Sequence, residues 1–188
     1  MSEWNKKRSI MRRYDLTAHI YDMRYAEEQT AKIRAALEAV SINKSNIVLD
    51  AGCGTGILFN HITNKTKTII GLDISKKILL EAKKHAGQFR NVNLILADVD
   101  NMPLKERVFR NVFAFTLLQN MPNPTKTLRE IERIADENAT IVVTGMKKAF
   151  TLEEFERLLR NAKLKVVSLK HEGLKCYVAI CIFDLLHA

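Results

Sequence analysis

Only 3 prolines, 7 glycines, 3 cysteines and 1 tryptophan occur in this chain of 188 residues. So little proline and glycine excludes collagen-like and low-complexity architectures, and a hydrophobic share of 47% excludes a chain left disordered for want of a core. The cysteines, Cys53, Cys176 and Cys181, form no CxxC pair, and an odd number cannot close completely into disulfides within one chain. A reduced, cytoplasmic protein without structural zinc is expected. No two of the five histidines pair at ligand spacing, so no metal is expected. Long apolar runs are missing too. The longest, such as 112–118 and 177–183, fall far short of the about 20 residues that span a bilayer. Residues 1–13 are basic with no apolar segment behind them, unlike a secretory leader. Acidic residues are the minority, 21 Asp+Glu against 30 Lys+Arg, for a net charge of +9 and a pI near 9.5. That excess favours a polyanionic partner.

What is present fits a single domain of α/β class. From Asn46 onward, β-rich runs alternate with helical stretches, and seven strands are expected over 46–50, 68–73, 92–97, 112–118, 140–144, 165–170 and 175–183. Helices are expected near Gly56, from an N-cap at Ser75, near Pro124, and from Thr151, which forms a capping box with Glu154. Only a short turn around Gly173 separates the last two strands, so they should pair antiparallel. Ahead of this core, over residues 46–188, lies an N-terminal helical segment over residues 1–45. Residues 17–40 read as helix, and Tyr14, Tyr21 and Tyr25 share one face if that helix starts early. Such a face either docks on the core or closes over a ligand pocket.

The stretch Val48-Leu49-Asp50-Ala51-Gly52-Cys53-Gly54-Thr55-Gly56 leaves a strand and opens a helix. Its glycines let a ligand approach the backbone closely. The spacing is GxGxG rather than the GxGxxG of dinucleotide sites, and Asp50 would repel a pyrophosphate while accepting hydrogen bonds from an amino group. Asp73 ends the next strand, about 20 residues on, where such folds hold ribose hydroxyls. Asp98 ends the third, placed to accept from the exocyclic amine of a base. Each alone is an ordinary turn former. Together they converge on the sheet edge where ligands of open α/β sheets bind.

On these residues the chain resembles the class I S-adenosylmethionine-dependent methyltransferases, in their ubiquinone and menaquinone methyltransferase-like branch, over roughly residues 46–183. The resemblance implies a Rossmann-like three-layer sandwich with a seven-stranded, mostly parallel sheet, an antiparallel last strand and an N-terminal helical lid. It also implies that S-adenosyl-L-methionine is the cofactor. Asp50, Gly52, Cys53, Gly54 and Gly56 would wrap its methionine part, Asp73 with Ile74 its ribose, and Asp98 with Val99 its adenine. Leu117 belongs to the segment, residues 115–121, that walls the methyl group. The Tyr14-Asp15 and Tyr21-Asp22 pairs resemble the branch's lid segment, which makes Tyr14 and Tyr21 cofactor-site candidates.

Methyl transfer from a sulfonium is an in-line displacement, so orientation can supply much of the rate and no catalytic dyad is required. The acceptor should meet Leu117-Leu118-Gln119-Asn120-Met121-Pro122-Asn123-Pro124. Methyltransferases acting on exocyclic amines carry Asp, Asn or Ser before Pro-Pro-aromatic here; this chain has Asn120 and Pro122 but no stacking aromatic. Asn120 either orients the substrate or, with Asn123, makes turns. Pyrimidine C5 chemistry needs a cysteine near this loop, and none is there. Basic residues cluster at Lys6, Lys7, Arg8, Arg12 and Arg13, at Lys105, Arg107 and Arg110, and at Lys147 and Lys148. Arg12, Arg13, Lys147 and Lys148, with Asn120 and Pro122, are the substrate-side candidates. They either hold a phosphate backbone while a base enters the pocket or are solubilising surface charges. The expected acceptor is a base nitrogen of ribosomal or transfer RNA, with a protein partner or ribosomal particle possible. The alternatives are a quinone-type small molecule, marked by a wide apolar pocket under residues 14–25, and a cofactor-binding subunit without catalysis.

Overall fold

In the computed structural model of the protein, which describes residues 2–184, seven strands form one sheet in the order β3-β2-β1-β4-β5-β7-β6. They are β1 (Ile47–Ala51), β2 (Thr68–Asp73), β3 (Val92–Leu96), β4 (Phe109–Ala114), β5 (Ala135–Met146), β6 (Leu164–Lys170) and β7 (Cys176–Phe183). Strands β1 to β5 run parallel, and β7 enters antiparallel between β5 and β6. This is the expected mostly parallel sheet with an antiparallel last strand. Residues 185–188 of the expected core lie outside the described residues.

Alternation along the strands sends side chains to both faces of the sheet, and helices cover both. Leu49, Val112, Ala114 and Ile141 pack on the side of α5 (Pro124–Ile134) and α6 (Leu152–Asn161). Val48, Phe113, Val142 and Val178 pack on the other, with Ile33 and Ala36 of α2 (Tyr21–Leu37), Phe59 of α3 (Phe59–Ile62), and Leu79 and Ala82 of α4 (Lys76–Ala86). The local signals operate as expected. The Ser75 hydroxyl accepts from the Ile78 N–H at 3.2 Å, and Thr151 and Glu154 form the reciprocal capping box. Asn123 caps α5 by accepting from the Lys126 N–H at 3.1 Å, with Pro124 in the first turn, so this Asn-Pro pair starts a helix.

Four elements depart from expectation, one of them β5, which starts at Ala135 rather than at residue 140. An additional helix, α1 (Glu3–Thr17), precedes α2 and is joined to it by a tight turn at Ala18–Ile20. The single helix expected over 17–40 is therefore broken, yet Tyr14, Tyr21 and Tyr25 still gather, with ring centroids 6.0 and 5.0 Å apart in sequence order. Strand β4 begins before Val112 and ends at Ala114, because the chain leaves the sheet at Thr116, whose φ is +56°. The helix after Gly56 is only the four residues of α3, so its dipole adds little to that turn.

The sheet order reverses between β1 and β4, which opens a crevice at their carboxyl ends. Helices α1 and α2 lie across it and are pinned by the two Tyr-Asp pairs. Asp15 accepts from the Ser75 hydroxyl at 2.5 Å and the Lys77 N–H at 3.3 Å. Asp22 accepts from the Thr55 hydroxyl at 2.5 Å.

Candidate active site

The turn after β1 is built on three left-handed glycines, Gly52, Gly54 and Gly56, at φ +73°, +56° and +82°. The N–H groups of Gly52 and Cys53 donate to the Leu72 carbonyl at 2.7 and 2.9 Å, tying the turn to the end of β2. A Cβ on Gly54 would meet nothing within 4 Å, so backbone is open to a ligand there, whereas one on Gly56 would collide with the Phe59 ring. Gly56 thus serves packing and Gly54 serves approach.

Two carboxylates, the buried Asp50 and the half-buried Asp73, flank this turn and differ in their support. Burial raises the Asp73 carboxyl above its ordinary range, opposed by N–H donors from Ser75 at 2.9 Å and Gly54 at 3.1 Å. Asp50 is 3% exposed, and burial, reinforced by the Asp73 charge, pushes it up to about 8. Such a group lacks a counter-charge. Asp98 has one: both its oxygens accept from the Lys7 ammonium, at 2.8 and 2.7 Å, and Lys7 also pairs with the fully buried Asp100 side chain. Burial raises all three thiols, Cys181 to about 12, so none is poised as a thiolate nucleophile.

Two cavities of about 40 and 50 Å³ meet at Gly52. The first is lined by Asp50, Cys53, Gly54, Tyr21, Gln29 and Phe115, the second by Asp73, Ile74, Asp98, Val99, Leu117 and Asn120. The expected cofactor residues are thereby brought together, apart from Gly56, which lies behind the turn, and Tyr14.

Tyr14 faces a third and larger space, a cleft of about 990 Å³ between α1 and α2 and the ends of β4 and β5. Arg13, Arg24, Lys147, Lys148 and Lys175 line it together with the Tyr14, Tyr21 and Tyr25 rings. Asn120 is on its wall with three of its four amide hydrogen-bonding positions used. Its Oδ1 accepts from Arg13 at 3.0 Å, and its Nδ2 donates to the Tyr14 hydroxyl at 3.0 Å and the Thr116 carbonyl at 2.8 Å. Arg12 is exposed and lines none of these three spaces, nor does Pro122. The 105–110 cluster sits where β4 begins, at the opposite end of the sheet, with Arg110 paired to Asp136 at 2.7 Å.

Sequence reasoning missed Glu28, Gln29, Lys32 and Thr116. The first three belong to the inward face of α2, visible only as the continuation of the Tyr21-Tyr25 spacing, and Thr116 carries no local signal.

Residues 42–177 match the family described as methyltransferase domain. The chain belongs to that family. Among relatives of this methyltransferase-domain chain, a malonyl-[acyl-carrier protein] O-methyltransferase of a Marinomonas species is 26% identical over 150 residues, 79% of this chain and 55% of that protein. The demethylmenaquinone methyltransferase of Staphylococcus saprophyticus is 26% identical over 137 residues, 71% and 58% of the two chains. The chain thus spans about half the length of the curated relatives it matches. Among solved structures, the DhpI–SAH complex superposes with a TM-score of 0.82 at 17% identity, covering 98% of this chain and 100% of that one. The shared fold is that of the S-adenosylmethionine-dependent methyltransferases. Among the described residues, no helix is long and apolar enough to cross a membrane.

Proposed function

We propose that the chain transfers a methyl group from S-adenosyl-L-methionine to a base nitrogen of RNA. The observation that carries the acceptor is the cleft of about 990 Å³ beside the two small cavities, with five cationic side chains and three tyrosine rings on its walls. A phosphate backbone is held by cations and an extruded base by stacking, and the tyrosines supply the aromatic surface that the Asn120 to Pro124 segment lacks.

The residues fit the cofactor. Asp50, buried without a counter-charge, suits an ammonium donor, and the open backbone at Gly54 suits the amino-acid part. Asp73 has the capacity to accept from ribose hydroxyls beside Ile74. Asp98 would share an oxygen with an adenine amine while Lys7 keeps Asp100. When bound, the cofactor supplies an electrophilic methyl on a sulfonium. The chain holds the acceptor in line and excludes water, with Leu117, Thr116 and Asn120 at the junction of cavity and cleft.

A quinone-type acceptor would want an apolar pocket under residues 14–25. The cleft there is wide, with the tyrosine rings, Met146 and Ala149 beside the cations, and what favours RNA is those cations, which a quinone ring has no charge to engage. The malonyl-[acyl-carrier protein] relative favours a second reading, a small carboxylate-bearing acceptor received by the same cations. RNA binding separates the two. Wild type and an Arg13→Glu/Lys147→Glu/Lys148→Glu variant are titrated with transfer and ribosomal RNA across a salt series. The RNA reading expects each lost phosphate contact to flatten the log–log salt slope by about 0.7 to 0.9. Equal slopes for the two proteins would leave the carboxylate reading.

A further inference from the structure

One buried ammonium among the described residues belongs to neither cofactor cavity. Lys32 of α2 is 1% exposed and ranks with Phe59 and Phe113 among the largest fully buried side chains. An ammonium taken from water has to be matched by partners. Among the described residues they are the Glu28 carboxylate, at 3.3 Å, and the Thr116 hydroxyl, at 3.0 Å. Lys32 shares Glu28 with Lys175, which approaches the other carboxylate oxygen at 3.3 Å. Burial raises Glu28, but the two lysines outweigh that and hold it below the ordinary carboxylate range. A methionine would fill the same space without desolvating a charge, so packing alone does not call for a lysine here.

The Thr116 hydroxyl gives it a purpose. Thr116 sits at φ +56°, a region that β-branched residues rarely adopt and that persists only where surrounding contacts over-determine it. Those contacts are present on every polar group. The hydroxyl accepts from Lys32 Nζ and from Gln29 Nε2, the latter at 3.2 Å. The N–H donates to Thr144 Oγ1 at 2.7 Å. The carbonyl accepts from Gln119 Nε2 at 2.6 Å and Asn120 Nδ2 at 2.8 Å. Thr116 also separates Phe115, on the wall of one cavity, from Leu117, on the wall of the other.

We propose that Lys32 is a positioning residue for methyl transfer. Through the Thr116 hydroxyl it holds Thr116 in the left-handed conformation, which aims the carbonyl that orients Gln119 and Asn120 beside the reacting centre. Lys32 itself lines neither the cavities nor the cleft and touches no substrate. The kinetic consequence rests on the methyltransferase reading; the geometric one does not.

Lys32→Met tests both. Its crystal structure with S-adenosylhomocysteine should show Thr116 relaxed to negative φ and the Asn120 bond to its carbonyl lost, with calorimetric affinity for S-adenosylhomocysteine nearly unchanged. With RNA from a strain lacking the protein as acceptor, kcat should fall about 100-fold, the effect of a displacement near 1 Å at the reacting centre, with KM moving little. Thr116→Val, which removes only the hydroxyl, should lose as much, and the double variant no more than either alone. Thr116 still left-handed in the Lys32→Met structure, or additive losses in the double variant, would overturn the proposal. If the wild type methylates no RNA, the functional reading fails, and the crystal structure decides the role of Lys32 by itself. If Lys32→Met does not fold, the Thr116→Val structure and kinetics supply the readout: an unmoved Asn120 and unchanged kcat would overturn it.

Discussion

Replacing Asp50 by asparagine probes the electrostatics of the cofactor site without any knowledge of the acceptor. Burial, with the Asp73 charge behind it, moves the Asp50 carboxyl from 3.8 to about 8 in the folded protein. Because the folded value lies above the unfolded one, the folded state holds the extra proton between them. Stability is therefore full below the unfolded value, falls as pH rises through the window, and levels off once Asp50 has ionised in both states. Each pH unit between the two values is worth about 1.4 kcal/mol, so ionised Asp50 costs on the order of 5 kcal/mol above about pH 8. This is a ceiling, since the adjoining cavity of about 40 Å³ is large enough to admit water. Asparagine keeps the shape and removes the titration. Urea unfolding followed by circular dichroism from about pH 5 to about pH 9, taken as the difference between wild type and Asp50→Asn, cancels the titrating groups that the Asp50 charge does not reach. The variant should gain on the wild type steadily toward pH 8 and then hold its advantage. The same variant should bind S-adenosylmethionine far more weakly, and wild-type binding near pH 7 should release close to one proton as Asp50 ionises against the incoming ammonium. A difference that is flat with pH, or a variant less stable than wild type near pH 8, refutes the reasoning.

Asp73→Ala should abolish measurable S-adenosylhomocysteine binding in calorimetry, and an unchanged affinity would remove Asp73 from the ribose site. Gly56→Ala places a Cβ against the Phe59 ring at a φ of +82°, so it should lower stability by about 2 kcal/mol or more in urea unfolding; a neutral result would contradict the packing role given to Gly56. Lys7→Met strands the fully buried Asp100 side chain with the Thr127 hydroxyl, at 2.6 Å, as its remaining side-chain partner. A loss of about 3 kcal/mol is expected, and a stable variant would show that this contact holds no part of α1 in place.

How much of this was legible depended on whether a residue's role left a local trace. The first three strands were readable because each is a short β-rich run closed by an acid or a turn, and the three aspartates inherit their common edge from parallel topology. Strand β4 was placed too late because the apolar run of residues 112–118 continues past the sheet, and residues that line a cavity are as apolar as those that line a core. Lys105 and Arg107 lead into β4 and Arg110 lies near its start, so this cluster falls at the end of the sheet away from the crevice. Helix α1 carries no apolar stripe to read, since the one buried residue it contributes is Lys7. Lys32 and Thr116 stand 84 positions apart in the chain, and nothing near either one announces the other.

The most direct test of the account gives the purified protein labelled S-adenosylmethionine with RNA and, separately, with a lipid-quinone and small-acid extract, both from a strain lacking the gene, followed by nucleoside mass spectrometry. The account predicts label in RNA and the return of one modified nucleoside that the strain had lost. Label confined to the extract would contradict the RNA assignment, and no label in either pool would contradict the enzymatic reading as a whole.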